Sequence, residues 1–283
     1  MSESEEYKNW LEKNLCEFIN ENEEISNKAV ESFRTKNHLG DPRVQMFGYR
    51  QYCPPKLYKY RAFDKYWVHW IGGNIRLNHP NKWNDLSDSL CTVPKETDKN
   101  EDAEKLREMY RKNRTACCFS ESYSNMPMWS FYSREHTGFV VEYNFRDLPG
   151  NGRKHYPFFI QPIIYNDIKF PVDLLCKYLS EDKHRVILPP YPLLVKSKEW
   201  AYEQEWRMIG EVINHKDELH CDLVNEYPDA KEYVKGIYFG IKTDEAIIEK
   251  AKELLESYYP EKMPDLYKME MNPYENKLRC TPL

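Results

Sequence analysis

Glu203 and Glu205 stand two positions apart in the run Trp200-Ala-Tyr-Glu-Gln-Glu-Trp-Arg207, which continues as Met208-Ile-Gly-Glu-Val212. On a strand, this spacing puts Glu203, Glu205 and Arg207 on one face and Tyr202, Gln204, Trp206 and Met208 on the other. Two carboxylates side by side repel each other and lose hydration. Such a pair therefore has a use that offsets this cost, such as holding a cation, gripping a sugar hydroxyl or moving a proton. The plain structural alternative is that Arg207 and a neighbouring Lys or Arg neutralise both acids at a solvated sheet edge.

More polar residues lie among aromatic ones: Tyr60-Arg61, Asn84-Asp85, Phe119-Ser120, Trp129 with Tyr132, and His136. Rings beside hydrogen-bonding groups suit a flat polar ligand such as a nucleotide or nicotinamide, because the rings stack and the polar tips orient it. Each also has an ordinary reading: a salt bridge for Arg61, a strand-end hydroxyl for Ser120, a core pair for Trp129 and Tyr132, a capped surface residue for His136. No Gly-x-Gly-x-x-Gly, phosphate-binding Gly-x-x-x-x-Gly-Lys-Ser/Thr or Gly-x-Ser-x-Gly occurs, and there are ten glycines in all. Phosphate would thus meet side chains such as Arg61 rather than a glycine-rich loop. His215, His220 and Cys221 fit no common zinc spacing, so no metal site is expected from them.

These residues need a scaffold, and 283 residues, 41% apolar and 14% aromatic, suffice for one large core or two modest ones. The net charge of −5 provides no overall attraction to nucleic acid or anionic membrane. Without an apolar run of spanning length, and with the acidic start Met1-Ser-Glu-Ser-Glu-Glu6, the expectation is a cytoplasmic protein without membrane contact. The scattered cysteines, with Cys117 and Cys118 adjacent, read as buried thiols.

Residues 1 to about 36 carry apolar positions three and four apart, predicting a helical N-terminal extension (residues 1–50), followed after Pro54-Pro55 by a domain over 51–283. In that domain strands are predicted at 57–61, 75–77, 116–120, 138–143, 157–165, 202–212 and 236–240. Helices are predicted at 64–70, 97–114, 128–132 and 243–258. Without regular β-α-β spacing, the class is α+β: a mixed central sheet flanked by helices.

In order, Leu57-Tyr-Lys-Tyr-Arg61, Trp83-Asn-Asp85, Cys118-Phe-Ser120, Met128-Trp-Ser-Phe-Tyr132, His136-Thr-Gly138 and the Glu203/Glu205 run resemble a bacterial family catalogued as a domain of unknown function (DUF2971). That family usually follows Asn-Asp with Pro and an acidic residue; here Leu86, Ser87 and Asp88 follow. The layout is also distantly similar to ADP-ribosyltransferases. That resemblance implies an ADP-ribosyltransferase-like fold and NAD as substrate, without metal. Arg61 and Tyr60 would anchor NAD, Ser120 would be the strand-end Ser, and Tyr132 or Trp129 the aromatic that stacks on nicotinamide. Glu205 would be the catalytic acid, with Glu203 orienting or deprotonating the acceptor, a protein or nucleic acid of unknown identity, or water. A bacterial toxin or phage-defence setting is implied as well. Two other readings stay open: a non-catalytic nucleotide sensor or interaction module, and a metal-dependent nuclease or hydrolase built on Asp85, Glu203 and Glu205.

Overall fold

The computed structural model describes residues 5, 6, 9, 53–85, 88, 114–145, 158–167, 193–211, 225–227 and 230–283. The expected N-terminal helical extension lies outside them, apart from Glu5, Glu6 and Asn9, as does the helix expected over 97–114 up to Arg114. Among the described residues no helix is long and apolar enough to cross a membrane.

The strands are β1 (Leu57–Arg61), β2 (Ile75–Leu77), β3 (Arg114–Ser120), β4 (Phe139–Tyr143), β5 (Phe158–Pro162), β6 (Ile164–Tyr165), β7 (Val195–Lys196), β8 (Glu205–Glu211), β9 (Asn225–Tyr227), β10 (Val234–Phe239), β11 (Asp265–Met271) and β12 (Leu278–Pro282). The helices are α1 (Trp67–Ile71), α2 (Met126–Tyr132) and α3 (Glu245–Tyr258). Eight strands form one sheet in the order β12-β11-β10-β4-β1-β3-β8-β5. It is mixed: β10 and β11 run parallel and the other pairings antiparallel. The α+β class follows directly, with α3 as the crossover that a parallel pair requires. β11 and β12, at the far edge, were not among the strands predicted from sequence.

Alternation along β1 divides the two cores. Leu57 joins Phe119, Phe139, Trp206 and Met208 in the larger cluster, which Ile248, Ala251 and Leu255 of α3 cover, while Tyr58 and Tyr60 join Met128 and Trp129 of α2 on the opposite face. α2 begins as its sequence dictates, with Asn125 accepting from the Met128 N–H at 3.1 Å and Pro127 in the first turn. After its C-cap Ser133 come three consecutive left-handed residues, Arg134, Glu135 and His136, whose turn lets the Glu135 and His136 N–H groups reach the carbonyls of Ser130 and Trp129. Such conformations are costly for non-glycine residues. Close packing follows: a Cβ on Gly138 would lie 2.1 Å from the Arg61 carbonyl oxygen, so only glycine fits where this turn meets β1.

Candidate functional site

β1 and β3 pair only at Tyr58 and Ser120. Towards the other end of β3, Ala116 exchanges both backbone hydrogen bonds with Asn78 instead, so the two strands fork. A cavity of about 380 Å³ lies at the fork. Its lining includes Tyr58, Tyr60, Arg61, Ser120, Tyr132, Glu203 and Glu205, which are as much as 147 positions apart (205 − 58). Arg61 belongs to the Leu57 face of β1, whereas Ser120 and Glu205 are cross-strand partners on the Tyr58 face. They reach one cavity because the fork interrupts the sheet.

The expected strand over 202–212 is corrected at its start. Lys198–Glu203 is a 3-10 turn, and β8 begins at Glu205. Between the two acids, Gln204 adopts the left-handed conformation (φ 47°), with its N–H on the Ala201 carbonyl and its own carbonyl accepting from Glu121. Both acids still face one cavity, through a kink rather than strand alternation.

They are deeply buried, each 3% exposed, and so are the groups around them. The Lys196 ammonium lies 2.6 Å from Glu203 Oε2, 3.0 Å from Glu205 Oε2 and 3.8 Å from Asp88 Oδ2, with the Trp200 ring 4.8 Å away. Arg207 grips Asp88 with two hydrogen bonds, of 2.9 and 2.5 Å, and donates from Nε to Glu205 Oε1 at 2.6 Å. Its guanidinium also stacks on Trp83, 4.3 Å from the ring centre. Neutralisation by Arg207 and a lysine therefore does occur, but in the interior: β8 runs between β3 and β5, not at a solvated edge.

The ionisations of the two glutamates are driven apart. Burial opposes charge on Glu205, but Arg207 and Lys196 outweigh it and hold its carboxyl well below the usual range. Burial and then the neighbouring Glu205 charge push Glu203 above that range, and burial also raises Asp88 despite Arg207. Three acids against two bases leave one excess negative charge when all are ionised, so a raised Glu203 is the expected response. Lys196 stays charged because the facing Glu205, Glu203 and Asp88 outweigh its burial.

Glu203 Oε1 accepts from the Tyr132 hydroxyl at 2.5 Å, and Asn84 donates to the same hydroxyl at 3.0 Å. Tyr132 is thus tied down through its oxygen as well as offering a ring. Trp129, the other expected stacking aromatic, is not in the lining: it is fully buried, edge-on to Tyr60, with its indole N–H on the Tyr123 carbonyl. Tyr60 borders the cavity but directs its hydroxyl to the Ser122 carbonyl. Ser120 accepts from the Ser122 N–H at 3.2 Å. Arg61 bonds Asp64 at 2.6 Å and stacks over Trp70 at 4.9 Å. Asn84 lines the cavity and Asp85 does not.

Lys196 and Asp88 were not among the expected site residues. The one local signal for Lys196 is a cation directly after the apolar run Leu193-Leu-Val195, which becomes interior. Cys117 and Cys118 border the cavity, and burial raises both thiols, so neither is an activated nucleophile.

Comparisons with curated proteins and with solved structures return no match. Residues 128–208, which carry Tyr132, Lys196, Glu203, Glu205 and Arg207, match the family described as "Protein of unknown function (DUF2971)".

Proposed function

We propose that this protein cleaves the nicotinamide–ribose bond of NAD, as an ADP-ribosyltransferase or NAD hydrolase on an ADP-ribosyltransferase-like sheet. The observation that carries the reading is one cavity in which a buried carboxylate of raised pKa, Glu203, shares the lining with aromatic and cationic side chains. Lys59 adds a second cation beside Arg61 at the fork, its ammonium donating to the Cys118 carbonyl at 2.7 Å and bordering the same cavity.

In the reaction, the bond between nicotinamide nitrogen and ribose C1′ breaks with its electron pair going to nicotinamide, leaving an oxocarbenium-like ribose. The acceptor oxygen attacks C1′ and gives its proton to ionised Glu203. The roles of the two glutamates are thereby exchanged relative to the resemblance. Glu205 has its charge answered by Arg207 as well as by Lys196, whereas Glu203, held by Lys196 and the Tyr132 hydroxyl, is the acid of raised pKa and the one we assign to the acceptor's proton. Lys196 stands between the carboxylates where a divalent cation would bridge them, which weighs against the metal-hydrolase reading.

Incubating purified protein with NAD and quantifying free nicotinamide tests this, with and without EDTA. Release that survives EDTA is expected. Binding without release would favour the nucleotide sensor, a reading also served by the neutralised Glu205, and metal-dependent cleavage of nucleic acid would favour the hydrolase. A pH profile tests the assignment of Glu203. A base must be ionised, so kcat/KM should rise with pH, with its midpoint above the ordinary glutamate value of 4.5, and fall away as pH drops through that midpoint. A flat profile from pH 5 to 8 together with a midpoint below 4.5 would reassign the base to Glu205.

A further inference from the structure

Phe131 is 71% exposed, yet it lines the cavity with Lys82, Trp83 and Asn84. Its helix neighbours have evident uses: Trp129 is in the core and Tyr132 is tied to Glu203. A lone exposed ring is ordinary on a protein surface, but one on the wall of a candidate site stands where a ligand would cover it.

Cavity size sharpens this. About 380 Å³ is near the lower end of the range for pockets that take one drug-sized molecule, and NAD, two nucleotides joined through a diphosphate, overruns it. The bond to be broken decides which half goes in. Nicotinamide riboside must reach Glu203, itself 3% exposed, so the adenosine half is left at the mouth.

We propose that Phe131 forms the adenine subsite, its ring stacking on the base of NAD at the cavity mouth. This rests on the NAD reading above. The ring is presented on a fixed support, since α2 is capped by Asn125 at its start and followed by the left-handed turn at its end. Stacking on a pre-positioned ring costs little ordering of the protein and adds affinity in ground and transition states alike.

The test is calorimetric titration of protein that is wild type, Phe131→Ala or Phe131→Trp at this position, each carrying Glu203→Gln so that the titrant is bound but not cleaved, with NAD and with nicotinamide mononucleotide, which lacks the adenosine half. Phe131→Ala should raise Kd for NAD about tenfold, the scale of one base–aromatic stack, and leave the mononucleotide within twofold of wild type. Phe131→Trp should retain NAD affinity. Unchanged NAD binding by Phe131→Ala, or an equal loss for both ligands, overturns the subsite while the NAD reading stands. Failure of wild type to bind either ligand overturns the NAD reading and the subsite with it. The exposure of Phe131 keeps the fold out of the comparison, and matched circular dichroism checks it.

Discussion

Glu203→Gln is expected to lower nicotinamide release by roughly 10²-fold or more, with NAD binding largely retained. The amide keeps the shape of the carboxylate, and its oxygen still accepts from Lys196, but it can neither take the acceptor's proton nor offer charge to an oxocarbenium-like ribose. The fold should tolerate this change unusually well for a site so buried. Asp88, Glu203 and Glu205 exceed Lys196 and Arg207 by one charge, and Glu203 is the acid whose ionisation burial and Glu205 oppose. Removing its charge leaves two acids facing two bases. Single-turnover kinetics with circular dichroism on the same samples is the measurement. The rise of kcat/KM with pH should disappear together with the rate. Wild-type turnover by Glu203→Gln at matched folding would remove this residue from the chemistry and put the sensor reading first.

Arg207→Met is expected to cost about 3–5 kcal/mol of stability, the scale for removing one partner of a buried ion pair. Arg207 is fully buried and supplies two bonds to Asp88, two contacts to Glu205, one to the Leu193 carbonyl and the support under Trp83. Methionine fills much of the volume but leaves three carboxylates around one ammonium. Those acids must then take up protons or draw water into the interior. Urea unfolding followed by circular dichroism would show the midpoint fall at neutral pH. Part of the loss should be recovered on acidification towards pH 5, where protons replace the missing cation. A midpoint unchanged at neutral pH would mean that the ion cluster contributes little to holding β8 and the segment at Asp88 together.

Much of the scaffold is legible in the chain because local rules decide it. Alternation places Leu57 and the Tyr58/Tyr60 pair on opposite faces of β1, a direct consequence of the two-residue period of a strand. Asp244 caps α3 by accepting from the Ala246 N–H at 2.7 Å, near the start expected for that amphipathic helix. The strand expected over 202–212 differs at its start because Glu203, Glu205 and Arg207 satisfy a period of two whether or not the backbone is extended. The left-handed residue at Gln204 leaves no trace in that pattern. The edge strands β11 and β12 were not predicted.

Residue order alone dictates the α+β class, the sides of β1, and the pairing of Glu203 and Glu205 as one unit with Arg207 beside them, since these depend on residues within a few positions of one another. Which cation answers which acid is settled in three dimensions. Asp88 lies 119 positions from Arg207, and Lys196 reaches Glu205 from a separate short strand. Folding likewise sends Tyr132 to the cavity and Trp129 into the core, and parts β1 from β3 to open a cavity to both faces of the sheet. One cause underlies all three. Burial, ion pairing and strand register arise from segments distant in the chain, and the pKa values that separate Glu203 from Glu205 exist only once those segments have excluded water.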